Sequence, residues 1–230
     1  MNSNAMLYAI PGILLLISLI LCGFSAFNLK KESLSLTLTF RGGALTMIAI
    51  LALALQNLVG VNALSGTTTF ISIALVVQIF SEILSALPTN SNIFSPIYSG
   101  LDMLSCAMFA LAGLFIVPVS PYGLPIGLGV GIIASVITAL AIRDFDWKTD
   151  IFKYASLSIS VGILAQVVII FMSTISVQTI LFAIGSIIYA ASVVIKLFFK
   201  DKNAPLSISR DVLYYISLLL MTASIFVLAF

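Results

Sequence analysis

Histidine is absent from the 230 residues, cysteine occurs twice, and only 8% of positions are charged, against about 25% in an ordinary soluble domain. Each scarcity excludes something. Without His the commonest metal ligand and general base is missing, which argues against zinc-hydrolase chemistry. Cys22 and Cys106 sit inside apolar runs and read as small core residues, not as a disulfide framework. So few charges exclude disorder, nucleic-acid binding and a soluble globular fold. There is no G-x-S-x-G, no phosphate loop, no C-x-x-C and no regular Arg-rich voltage sensor, and no cofactor is expected.

What the chain does have is apolar length. Hydrophobic residues make up 61% of it. A helix needs about 20 apolar residues to cross the hydrocarbon core. Eight such runs fall near 7–27, 36–59, 68–88, 94–117, 123–142, 151–173, 177–198 and 210–229, which predicts an all-α bundle of eight transmembrane helices. The breaks between runs carry turn residues, as in Pro88-Thr89-Asn90-Ser91-Asn92 and Pro118-Val119-Ser120-Pro121. Residues 1–5 read as the remnant of a cleaved expression tag, with Met6 as the natural start, and 6–230 as one transmembrane domain. No internal repeat is evident, which argues against an inverted-repeat transporter.

Charge assigns the sides. With eight spans both termini share one side, and the opposite side holds the connections 28–35, 89–93, 143–150 and 199–209. Lys30, Lys31, Arg41, Arg143, Lys148, Lys153, Lys196, Lys200, Lys202 and Arg210 all lie in or beside those connections. Basic residues on short loops mark the cytoplasmic side. The expected location is therefore a cell membrane, multi-pass, with both termini outside.

Three charges enter the apolar runs. Glu82 precedes Pro88 by six residues and Asp102 follows Phe94 by eight. At the helical rise both acids lie roughly 9–12 Å below the same turn, and Arg41 lies at roughly 8 Å from the same side. An ionised group in hydrocarbon seeks a partner or water. Arg41, Glu82 and Asp102 are therefore expected to converge on a polar pocket open to the cytoplasm, or else to form a strut that fixes helix packing. Gln78 and Tyr98 lie one turn from the two acids on the same helix faces. Tyr189, Ser192 and Tyr215 stand at matching depth on spans seven and eight, as candidate lining residues. Lys153 and Tyr154 are weaker candidates for a cap. Along span five, Gly123, Gly127, Gly131, Ser135 and Ala139 make a small-residue face that predicts close helix packing.

Phe40-Arg41-Gly42-Gly43 with Leu45-Thr46, Phe80-Ser81-Glu82 before Leu87-Pro88, Leu101-Asp102-Met103-Leu104, Gly185 to Val193, and the paired Tyr214-Tyr215 together carry a resemblance. The chain resembles the YhhN-type, lysoplasmalogenase-like membrane proteins over most of its length. The resemblance implies eight spans, membrane lipid as the partner, and hydrolysis of the vinyl-ether bond of a lyso-ether lipid. Glu82 and Asp102 would be the catalytic pair, and Arg41, Gln78, Tyr98, Tyr189, Ser192 and Tyr215 the substrate-binding set. The departures are Arg41-Gly42 for the family's Lys-Pro, Glu82 for its Asp, Asp102 for its His and Val193 for its acid. Two other readings stand beside hydrolysis. One is a small-solute or ion transporter or channel, which a polar path past Gln56, Asn57 and Gln166 would favour. The other is a catalytically inactive lipid-binding or sensor protein, which Val193 favours because it cannot handle a proton. Substrate and oligomeric state are not legible in the sequence.

Overall fold

Apolar runs of this length become helices because, in lipid, each backbone N–H and C=O must find its partner within the segment. The computed structural model describes residues 3–27, 38–59, 65–86, 91–116, 176–198 and 204–226, with ten isolated positions between 125 and 159. The described elements are α1 (Ser3–Phe27), a π-helical turn (Leu38–Gly42) that opens α2 (Gly43–Val59), α3 (Ser65–Ala86), α4 (Ser91–Ile116), α5 (Val177–Phe198) and α6 (Ala204–Phe226). The fold is all-α. Among the described residues five helices are long and apolar enough to span a membrane, and Val177–Val193 forms a shorter apolar stretch. The predicted spans 123–142 and 151–173, with the small-residue face of span five, lie outside the described residues apart from those isolated positions.

α5 shows how local sequence sets a helix start. The Ser176 hydroxyl accepts from the Thr179 N–H at 3.2 Å, and the Thr179 hydroxyl accepts from the Ser176 N–H at 2.9 Å. This reciprocal capping box satisfies two donors that the first turn would otherwise leave open.

α2 and α6 are central among the described helices. α1 packs on both, α3 packs on α2, and α3–α4 and α5–α6 form the two most extensive pairings. The α3–α4 pair is antiparallel and pinned by three hydroxyl-to-carbonyl bonds. Thr67 donates to Ala112 O at 3.2 Å, Ser105 to Ala74 O at 3.1 Å and Ser81 to Tyr98 O at 3.0 Å. Each step of seven residues along α3 is matched by seven back along α4. A seven-residue repeat keeps one seam facing the partner, and small hydroxyl residues on that seam let the backbones approach. α5 and α6 approach closely at Gly185. A Cβ there would lie 2.8 Å from Met221 Cγ and 3.1 Å from both Met221 N and Ser217 O.

The distribution of polarity decides the environment. Ser18, Ser25, Thr67, Gln78, Ser105, Ser217, Thr222 and Ser224 are buried, while Ile10, Ile13, Leu16, Leu19 and Phe24 of α1 are 53–60% exposed. Leaving one large apolar side chain in water rather than burying it costs about 1.5–3 kcal/mol. An outer face this apolar over a hydroxyl-lined interior is stable against lipid. The chain is an integral, multi-pass membrane protein.

Candidate functional site

Among the described residues, Arg41, Glu82, Arg210 and Asp211 gather where α1 ends, α2 begins, α3 ends and α6 begins. Arg41 stands on the π-helical turn just before the Gly42-Gly43 pair, and its guanidinium bridges two helices. Nη1 lies 3.6 Å from Glu82 Oε2 on α3, and Nη2 donates to Asp211 Oδ2 on α6 at 3.0 Å. The other Asp211 oxygen accepts from Arg210 Nε at 2.8 Å. The side chains of Arg41, Glu82, Asp211 and Arg210 are 24%, 18%, 10% and 20% exposed, so the network is largely withdrawn from solvent or headgroups. An arginine suits such a place because its fork can serve two carboxylates from one planar group.

Asp102 on α4 has different company. Its Oδ1 accepts from Gln78 Nε2 at 3.1 Å and shares the single Ser81 hydroxyl hydrogen with Tyr98 O, which lies 3.0 Å from the Ser81 oxygen. One acid thus faces a guanidinium and the other faces an amide and a hydroxyl. Both belong to the same end of the α3–α4 pair.

Tyrosines fill the space between these groups and the apolar core. The Tyr189 hydroxyl lies 3.2 Å from Cys106 Sγ, and its ring packs on Phe109 at 5.4 Å between centroids. Tyr214 lies between Tyr189, at 6.2 Å, and Tyr215, at 5.5 Å. The Tyr215 hydroxyl is 2.7 Å from Ser25 Oγ on α1, within hydrogen-bonding distance.

The sequence-derived candidates are therefore placed as follows. Arg41 and Glu82 meet. Gln78 and Asp102 bond to each other, and Tyr98 joins them through its carbonyl. Tyr189 and Tyr215 are buried beside this layer. Ser192 is turned onto its own helix, donating to Tyr189 O at 2.7 Å, so its hydroxyl already has a backbone partner. Lys153, Tyr154 and Gln166 lie outside the described residues. Gln56 is half-buried and Asn57 exposed on α2.

Sequence reasoning passed over Asp211, Ser81, Ser25 and Tyr214. The apolar run near 210–229 places Asp211 at its very start. α6 begins six residues earlier, at Ala204, which puts Arg210-Asp211 in the second turn of the helix. Ser81 carries no signal of its own beyond standing next to Glu82.

Two clefts among the described residues lie away from this layer and are apolar. One, of about 210 Å³, is lined by Ala49, Leu53, Ser72, Ile73, Val76 and Val77, and the other, of about 390 Å³, by Leu19, Ile20, Gly23 and Phe24. No group of three His, Cys, Asp or Glu gathers to hold a metal among the described residues. No family model, curated protein or solved structure matches the chain.

Proposed function

We propose that the chain is an eight-span membrane protein with both termini outside, whose charged layer faces the cytoplasm and hydrolyses a single-chain ether lipid. The observation that carries this reading is the division of two carboxylates in one layer, Glu82 against Arg41 and Asp102 against Gln78 and Ser81. Two carboxyl groups in unlike surroundings are the usual equipment for paired acid and base work. The resemblance to the lysoplasmalogenase-like family supplies the substrate class, a lyso-ether lipid with a vinyl-ether bond.

In this reading Asp102 gives its proton to the vinyl carbon remote from oxygen. The adjacent carbon becomes an oxocarbenium ion. Glu82 takes a proton from the water that adds there, giving a hemiacetal. Asp102 then removes the hemiacetal hydroxyl proton, the carbon–oxygen bond to glycerol breaks, and Glu82 returns its proton to the departing alkoxide. One water is consumed, and a fatty aldehyde and a glycerophospho-alcohol leave. Arg41 and its bond to Asp211 hold Glu82 in place.

The test is aldehyde release from a lysoplasmalogen by the purified chain. Wild type is expected to turn over, and Asp102→Asn and Glu82→Gln to lose a factor of roughly 10²–10⁴. Absence of aldehyde from the wild type refutes hydrolysis. A specific observation favours a second reading, an inactive lipid-binding or sensor protein: Val193, at the family's acidic position, packs against the hydrophobic core. Lipid binding without aldehyde release is the result that selects it.

A further inference from the structure

Ser81 holds one hydrogen between two acceptors. Its oxygen lies 3.0 Å from Tyr98 O on α4 and within bonding distance of Asp102 Oδ1, one turn further along the same helix. The residue is only 2% exposed, so these neighbours and not bulk water settle where the hydrogen points. The two acceptors differ in kind. Tyr98 O is a main-chain carbonyl of fixed strength. Asp102 Oδ1 is a weak acceptor when the carboxyl carries its proton and a strong one when it does not, because a bond to an ionised acceptor is roughly twice as strong as a neutral one. An amide carbonyl stands between those limits. The hydrogen therefore has a different best place in each protonation state. Gln78 faces no such choice, since its amide nitrogen donates to Oδ1 at 3.1 Å and can do so in either state of the acid.

We infer that the Ser81 hydroxyl is a two-position rotor that follows the Asp102 proton. It donates to Tyr98 O while Asp102 is protonated and turns to Asp102 Oδ1 once the proton has left. Rotation about the Cβ–Oγ bond suffices, because both acceptors are already within reach. Ser81 neither gains nor loses a hydrogen. In turnover, which rests on the hydrolysis reading above, Ser81 is a positioning residue for the acid step. When Asp102 passes its proton to the vinyl carbon, the rotor brings a donor to the new carboxylate. It swings back when Asp102 takes the hemiacetal proton. The bond strengthens only as charge appears, which is where a contact lowers a barrier. Other groups in the layer bear on Asp102. Among the described residues Tyr189 of α5 and Tyr214 of α6 interact with it electrostatically, and Glu82, paired with Arg41, adjoins Ser81 on α3. A response to pH must therefore be traced to Asp102 itself.

The experiment uses the full chain in detergent and reads the Tyr98 carbonyl. Tyr98-Ser99 is the only Tyr-Ser pair in the sequence, so carbonyl-13C tyrosine with 15N serine gives one nitrogen-coupled carbonyl resonance. In wild type it is expected to move downfield from alkaline to acidic buffer, as Tyr98 O gains the Ser81 hydrogen. Asp102→Asn is neutral throughout and should hold the downfield position in both buffers. Ser81→Ala should stay upfield in both, and Glu82→Gln should move as wild type does. A wild-type carbonyl that does not move overturns the rotor. So does a movement that survives Ser81→Ala or Asp102→Asn, or one that Glu82→Gln abolishes. The same preparations are assayed for aldehyde release. Ser81→Ala is expected to lower kcat by about tenfold at unchanged KM, the difference between a bond to a charged and to a neutral acceptor. Ser81→Thr keeps the hydroxyl and should recover most of that loss. Unchanged kcat in Ser81→Ala overturns the positioning role and leaves the rotor standing. A moving carbonyl with no aldehyde from wild type ends the hydrolysis reading, and the positioning role with it, but supports the rotor.

Discussion

Gly185→Ala puts a single methyl group into the close contact between α5 and α6. The new Cβ would meet Met221 Cγ at 2.8 Å and the backbone atoms Met221 N and Ser217 O at 3.1 Å, where ordinary contact begins at 3.4 Å. Met221 is 1% exposed and has nowhere to swing, and two of the three opposing atoms are backbone. α5 and α6 must separate, which loosens the contacts along their shared face. Overpacking of this kind costs about 1–3 kcal/mol. Replacing Gly by Ala within a helix returns about 1 kcal/mol. The net expectation is a loss of about 1 kcal/mol, or a fall of about 2–4 °C in melting temperature for a chain of this size. Gly23→Ala on α1 is the control, because a Cβ there meets nothing within 4 Å. It keeps the helix gain without the clash and should rise by about the same interval. Thermal unfolding of both variants in one detergent gives the comparison. If Gly185→Ala melts at or above wild type, the close approach of α5 and α6 is wrong.

Three further outcomes follow from the same geometry. Asp211→Asn should lower stability more than Glu82→Gln, by about 1–3 kcal/mol, because it weakens the 3.0 Å bond to Arg41 and the 2.8 Å bond to Arg210 together, whereas the Glu82 contact is 3.6 Å long. Equal melting temperatures for the two variants would contradict that ranking. Thr67→Val keeps the shape and removes one of the three α3–α4 bonds, so it should lose about 0.6–1.7 kcal/mol by thermal unfolding, and no change would mean the seam is held by packing alone. In the eight-span reading, which places the ten basic residues opposite the termini, reporter fusions at both ends should read outside, and a cytoplasmic signal from either end refutes that reading.

Composition alone determined that this chain lives in a membrane, since 61% hydrophobic residues and 8% charged ones admit no soluble core with a wet surface. With the π-helical turn counted into α2, run lengths located the described helices to within four residues, apart from the start of α6, which comes six residues before the expected run, because hydrocarbon thickness sets how long an apolar run must be. Along-chain spacing also set Gln78 beside Glu82 and Tyr98 beside Asp102, since a helix puts every fourth residue on one face. Depth arithmetic went further and brought Arg41 to the level of Glu82. It could not say which way each side chain turns, and there the tertiary structure took over. Rotation of α3 about its axis gave Arg41 to Glu82 while Asp102 took its bonds from Gln78 and Ser81. An earlier start for α6 carried Asp211 inside the bundle as the second partner of Arg41. Tyr214 and Tyr215 are the same residue type side by side, so no pattern in the chain separates them. Their side chains leave the helix about 100° apart, so one hydroxyl finds Ser25 on α1 and the other is buried with no partner among the described residues. Periodicity reports a residue's distance from the membrane surface and its face on its own helix. The identity of the helix opposite comes from packing among segments distant in sequence, which no single segment encodes.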